Sequence, residues 1–267
     1  MENIIAVSNY NFSYQSHKVI NNLNLQVKTG TITTLIGNTG GGKTTLVKLL
    51  TGLLSGDGEI KILGADISKV SNVICEVGVV IGNPYDNFIA QTVRDDLVFP
   101  LENLQLKKEE IDKYLSDVVD YFKIESLLDM NPLDLTTTDA SIIALASALI
   151  TKPKLLILDD AFMKMGTLTK KKMFRILRDL NRRYHLTILN ITHDINDVMY
   201  GDEALLLYNG ELVLSGPVEQ FVKEEKSLKK YHYELPYIVD LSNKLQYYQV
   251  IDHDIFDINR LVNTIWK

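Results

Sequence analysis

The chain has a single cysteine, a single tryptophan and only six prolines among its 267 residues, and no apolar stretch approaches the ~18 residues of a membrane-crossing helix. Each shortage closes off a class. With Cys75 alone there is no internal disulfide and no cysteine metal cluster, a reducing compartment fits, and the residue is expected to be a small buried hydrophobe. The opening MENIIAVSNY has no basic region followed by an apolar core, so no signal peptide is expected and any membrane role is expected to be peripheral. Positive charge is short as well: 28 Lys and Arg against 34 Asp and Glu leave a net charge of −6. That argues against nucleic acid held through phosphate contacts and leaves room only for local basic patches. What remains, 46% hydrophobic and 23% charged, is the composition of a globular protein large enough for one sizeable core with a lobe or tail.

Residues 31–52 read TITTLIGNTGGGKTTLVKLLTG and organise the rest. Residues 31–36 are rich in β-branched side chains and predict a buried strand, while 44–50 have the apolar spacing of a helix. Between them, Gly37-Asn38-Thr39-Gly40-Gly41-Gly42-Lys43-Thr44 fits the phosphate-binding pattern G-x-x-x-x-G-K-[ST] in its required strand-to-helix context. Glycines lack the Cβ that would block the backbone, so successive N–H groups can close around phosphate oxygens at the positive end of the helix. Lys43 would reach the β and γ phosphates, and Thr44 would offer its hydroxyl to Mg²⁺, a cation that takes hard oxygen ligands.

Residues 3–14 and 18–28 alternate as half-buried strands do, the second with Val19, Leu23, Leu25 and Val27 on its apolar face. A short strand follows at 59–63, and together these predict a mixed core sheet carrying an antiparallel flap. Tyr14, on the flap, would either stack on a nucleotide base or fill the sheet edge. Residues 77–81 read as a strand entering the Gly82-Asn83-Pro84 loop. From about residue 101 the pattern turns helical, with Leu115, Val118, Val119 and Phe122 on one face, and Pro132 closes this lobe. Thr136 and Asp139 then form a T-x-x-D capping box before an apolar helix.

Residues 154–160, KLLILDD, form an apolar strand without alternation that ends in two carboxylates, as expected of a parallel sheet buried on both faces with its ligands at the C-terminal end. Asp159 there can hold Mg²⁺ through water and Asp160 can orient the attacking water. Residues 167–184 predict a basic amphipathic helix with Lys170–Lys172 and Arg182–Arg183 on a solvated face. Another apolar strand, 187–192, ends at His193-Asp194, where the histidine is placed to touch a γ-phosphate. Asn209-Gly210 marks a hairpin.

In order and spacing the chain resembles the ATP-binding cassette (ABC) ATPases of transporters, and specifically the ATPase subunits of energy-coupling factor importers. The residues that carry the resemblance are the phosphate loop Gly37–Thr45 including Thr45, the acidic strand 155–160, Ile191-Thr192-His193-Asp194, and Tyr14 as adenine-stacking aromatic. Residues 77–103 and the tail with Tyr233-Glu234-Leu235-Pro236 resemble the energy-coupling factor branch. The resemblance implies an α/β P-loop NTPase fold with mixed central sheet, antiparallel β flap, helical lobe (about 101–150) and C-terminal helical tail. The ATPase domain would span 3–222 and the helical extension 223–267. It implies ATP and Mg²⁺ as cofactors, and an ATPase that drives vitamin or metal uptake from the cytoplasmic face of the membrane. Its partners would be a second, different ATPase subunit, a transmembrane coupling subunit and a substrate-binding membrane subunit. A clamp that binds ATP without hydrolysing it is the alternative, and a soluble cassette acting on ribosomes or DNA is a more distant one.

The departures matter as much. Gly82 stands where the family has a glutamine, Leu135-Thr136-Thr137-Thr138-Asp139 where it has Leu-Ser-Gly-Gly-Gln, Asp160 where it has glutamate, and Met163-Lys164-Met165-Gly166 where a Leu-Asp pair is usual. Branched Thr137 and Thr138 and the like charge of Asp139 would hinder approach to a partner's γ-phosphate, so turnover is expected to be slow.

Overall fold

The computed structural model describes residues 2–67 and 76–266, so Cys75 lies outside the described residues. Its first elements are β1 (Asn3–Tyr14), β2 (His17–Lys28), β3 (Ile32–Gly37), α1 (Lys43–Leu50), β4 (Asp57–Ile62), β5 (Ala65–Asp66) and β6 (Val77–Ile81). Next come α2 (Val93–Asn103), α3 (Lys108–Phe122), α4 (Thr137–Ile150), β7 (Leu155–Asp159), α5 (Thr167–Tyr184) and β8 (Thr187–Thr192). The chain continues through β9 (Glu203–Tyr208), β10 (Glu211–Pro217), α6 (Val218–Phe221), α7 (Glu225–Lys230), α8 (Tyr237–Tyr247) and α9 (Ile258–Ile265).

These strands form two sheets: an antiparallel one in the order β2-β1-β4-β5, and a six-stranded one in the order β10-β9-β3-β8-β7-β6. In the second, β9, β3, β8, β7 and β6 run parallel and only β10 is antiparallel, which gives the mixed sheet of the expected α/β class. Strands β3, β7 and β8 are buried at every residue because both faces of the sheet are covered. Strand β7 shows how: Leu155 and Ile157 pack with α1 and the antiparallel sheet, while Leu156 and Leu158 pack with α4 and α5. Asn209 and Gly210 both have positive φ, 49° and 78°, as a type I′ hairpin between β9 and β10 requires.

Two patterns are not as the sequence predicts. The inner face of β2 is Ile20, Leu23, Leu25 and Val27 rather than Val19, because Asn22 adopts φ 43° within an irregular stretch of the β1–β2 ladder and flips the alternation. The second concerns the start of the lobe's helices, which is Val93, capped by the Thr92 hydroxyl accepting from Asp95 N–H. Pro100 within α2 hides that helix from a reading by pattern.

Helix α4 begins at the expected Thr136 cap. Its hydroxyl accepts from Asp139 N–H at 3.2 Å and donates to Asp139 Oδ2 at 2.7 Å, so the carboxylate takes the hydroxyl proton rather than the backbone N–H of an ordinary capping box. Thr136→Ala removes both bonds, and its denaturant midpoint should fall by the equivalent of about 1 kcal/mol. An unchanged midpoint would show that the cap contributes nothing to this helix. The tail after β10 is helical, and it is not detached: Val218, Phe221, Leu228 and Val239 share one buried cluster with Ile36, Val198 and Leu206.

Candidate functional site

The turn from β3 into α1 is built for an anion. Gly40 and Gly42 have φ of 77° and 97°, in the left-handed region that glycine enters without strain. A Cβ on Gly42 would also stand 3.1 Å from Ile20 Cδ1 and 3.2 Å from the Val19 carbonyl oxygen. Helix α1 has no side-chain cap and no acidic residue in its first turn, so its leading N–H groups and positive dipole end are left for a ligand.

Around that helix end lies a cleft of about 500 Å³, lined by Thr39, Gly40, Gly42, Lys43, Thr44, Thr45, Asp160 and His193, with Val19 and Met163 at its apolar edges. Gly37, Asn38 and Gly41 complete the loop beneath it, with Gly41 N–H bonded to the Asn38 carbonyl at 3.0 Å. Tyr14 is not among the lining residues. It ends β1, is 44% exposed, and packs edge-on against Phe12 with ring centroids 4.9 Å apart. The sequence named Val19 only for the apolar face of a strand and Met163 only as a departure from the family pattern; neither was expected to line the cleft, since neither carries chemistry.

Lys43 is only 8% exposed, and its Nζ donates to the carbonyls of Gly37 at 2.9 Å and Asn38 at 3.1 Å. Burial lowers its pKa from the usual lysine value, and the charges of Asp160 and Asp159 oppose that drop. Asp159, at the C-terminal end of β7, has its pKa raised by burial, against the hydrogen bond it receives from Thr44. Its Oδ1 is buried and takes no hydrogen bond. An orphaned carboxylate oxygen beside a threonine hydroxyl suits a hard divalent cation, so Thr44 and Asp159 fit Mg²⁺.

Asp160 and His193 end adjacent parallel strands and meet. One oxygen, Asp160 Oδ1, lies 2.8 Å from His193 Nδ1 and accepts from His193 N–H at 3.2 Å. Asp160 reaches this position with φ 50°, and its own N–H donates to Ile191 O. The pair could have been anticipated only from the β7–β8 register, which sets Asp159 opposite Ile191.

On the other flank, Gly82 follows β6, and a Cβ there would lie 3.0 Å from Asp159 O and 3.3 Å from Asp160 Cβ. Its loop is pinned by Asn87, whose side chain bonds Ile81 N–H and the carbonyls of Ile81, Asn83 and Pro84. Tyr85 OH donates to Leu135 O at 2.8 Å and so ties this loop to the residue before the Thr136 cap. Lys170 corrects the solvated-face reading of α5: its side chain is 13% exposed and forms ion pairs with Asp194 and Asp197.

Residues 20–163 match the family model described as ABC transporter. The "Energy-coupling factor transporter ATP-binding protein EcfA1" of Lactobacillus johnsonii is 32% identical over 91% of this chain and 89% of its own length. The chain belongs to the ABC transporter ATPase family, in its energy-coupling factor branch. Among solved structures, this ABC ATPase superposes on cbiO1 of Clostridium perfringens with a TM-score of 0.78 at 24% identity, over 94% of this chain and 100% of that one. The cassette MJ0796, in a dimeric post-hydrolysis state bound to ADP and Pi, gives a TM-score of 0.73 at 21% identity, over 80% of this chain and 98% of that one. Both likenesses concern the fold.

Proposed function

We propose that this ABC ATPase is the ATP-binding and ATP-hydrolysing subunit that powers an energy-coupling-factor-type importer of vitamins or metals, seated on the cytoplasmic face of the membrane. The convergence of the phosphate loop, Lys43, Asp160 and His193 on one cleft, with the Asp159 charge acting on Lys43 from beneath it, carries this reading. The loop amides and Lys43 bind and orient the phosphates, with Gly37 and Asn38 holding the ammonium in place beforehand. Thr44 and Asp159 would hold Mg²⁺, which would neutralise charge on the phosphate oxygens. Asp160 accepts the proton of the attacking water. With its Nδ1 engaged by Asp160, His193 has Nε2 left to face a γ-phosphate oxygen. Among the described residues no helix is long and apolar enough to cross a membrane, so membrane partners would supply the channel.

The proposed assembly adds a second, different ATPase subunit, a transmembrane coupling subunit and a substrate-binding membrane subunit. The start of α4 supports a different partner: Thr137, Thr138 and Asp139 fill its first turn where two glycines would let a partner's γ-phosphate approach. The purified chain alone should therefore turn over slowly. Robust steady-state ATPase activity from the isolated chain would refute the need for a heterologous partner. Gly82 favours a second reading, an ATP-binding clamp that leaves hydrolysis elsewhere, because glycine offers no side chain to relay nucleotide state. Identifying which proteins copurify from detergent extracts, then measuring single-turnover hydrolysis in that complex, tests both. Copurification with membrane subunits and measurable cleavage supports the hydrolysing subunit, whereas bound but uncleaved ATP supports the clamp.

A further inference from the structure

We propose that the C-terminal tail is part of the scaffold of the hydrolysis site: through the Tyr237 N–H and the Asn196 side chain it fixes Asp194, and thereby His193. The chain of contacts is continuous. Tyr237, first residue of α8, donates its backbone N–H to Asn196 Oδ1 at 2.9 Å. Asn196 in turn donates from Nδ2 at 2.9 Å and from its backbone N–H at 3.0 Å to Asp194 Oδ1. The other oxygen, Asp194 Oδ2, receives Lys170 Nζ from α5 at 2.8 Å, and Asp194 N–H donates to Thr192 Oγ1 at 3.1 Å. His193 thus sits between two residues bonded to each other, in a turn held by α5 on one side and the tail on the other.

Burial makes this a rigid mounting. The Asp197 side chain is 4% exposed and forms an ion pair with Lys170 Nζ at 2.5 Å. Burial pushes Asp197 up to about 6 against the pull of Lys170. Burial also opposes the charge of Asp194, but the Lys170 and Asn196 bonds outweigh it and hold that carboxyl below the usual range. The next residue, Val198, is fully buried in the cluster that contains Leu228 and Val239 of the tail, so the polar chain runs beside an apolar one. Tyr233, in the same tail segment, is pushed up to about 12 by burial and by the Asp160 charge, which places the tail within electrostatic reach of the catalytic carboxylate.

This rests on the reading of His193 as the γ-phosphate contact, and the test separates the two. Proline is tolerated at the first position of a helix, where the N–H has no intrahelical partner, so Tyr237→Pro deletes only the N–H that reaches Asn196 together with an exposed ring. Tyr237→Ala deletes the ring and keeps the N–H. In single-turnover hydrolysis of the full chain in its copurified complex, Tyr237→Pro should slow cleavage roughly tenfold, with ATP Kd unchanged, because a misplacement of less than an ångström suffices. Tyr237→Ala should cleave at the parental rate. Asn196→Ala should slow cleavage as Tyr237→Pro does, and the double variant should be no slower than either, since both cut one chain. Parental rates in both Tyr237→Pro and Asn196→Ala, or an equal loss in Tyr237→Ala, overturn the tail link. If His193→Ala leaves hydrolysis unchanged, the histidine assignment falls and the tail link with it. If His193→Ala abolishes cleavage while Tyr237→Pro and Asn196→Ala do not slow it, only the link falls.

Discussion

Lys43→Ala is expected to weaken Mg-ATP binding about a hundredfold or more while leaving the fold intact. Lys43 is the cation of the loop, and its Nζ is already held by the carbonyls of Gly37 and Asn38, so little side-chain freedom remains to be lost when phosphate arrives. Hydrogen bonds to charged groups contribute about 1.5–3 kcal/mol each, and a hundredfold in affinity corresponds to about 2.7 kcal/mol. The protein has already borne the cost of burying this ammonium, as the burial-lowered pKa shows. The alanine variant no longer buries that charge, so its thermal midpoint should stay near the parent's. Calorimetric titration with Mg-ATP checks the expectation, and an unchanged affinity would remove the loop from the binding site.

Asp160→Asn should leave ATP bound and slow single-turnover hydrolysis by about two to four orders of magnitude, the usual contribution of a general base. The structure makes this a clean substitution. Asparagine tolerates the φ of 50° found here, and its carbonyl oxygen can still accept from His193 N–H and Nδ1–H, so the site keeps its shape while losing the proposed proton acceptor and the charge that acts on Lys43. Asp160→Glu tests reach. Aspartate and glutamate share the carboxylate and nearly the same intrinsic pKa, but the extra methylene advances it by about 1 Å, a displacement that can change a rate roughly a hundredfold. Single-turnover cleavage should therefore rise in Asp160→Glu. A parental rate in that variant, with nucleotide bound, would mean that Asp160 is not the limiting base and would strengthen the clamp reading.

Adding a side chain at Gly82 in the same experiment is less informative than the sequence suggests. A Cβ at that position already crowds Asp159 O at 3.0 Å and Asp160 Cβ at 3.3 Å, so Gly82→Gln moves the base as well as restoring an amide. Neighbours this close do not contribute additively.

What the sequence determined by itself is what neighbours in the chain decide. The glycine turn, its lysine and the helix after it are one local unit, and the left-handed φ at Gly40 and Gly42 belongs to residues without a Cβ. The apolar run of β7, which lacks alternation, required a sheet covered on both faces, and the Asn-Gly pair required a primed turn. Only the tertiary structure decided which side chains face one another across distant segments. Asp160 and His193 were each legible as strand-end groups, but their 2.8 Å contact depends on β7 and β8 being neighbours in register. Lys170 looks like its solvated neighbours in α5, and only the packing of the 195–200 turn against that helix buries it between two acids. The same holds for Val19 and Ile20, whose sides of the strand are exchanged by the positive φ of Asn22, a backbone irregularity that alternation cannot register. Local pattern fixes the elements because each is stabilised by its own period; the site is assembled from their ends, and where those ends meet is set by strand order, register and the core that packs between them.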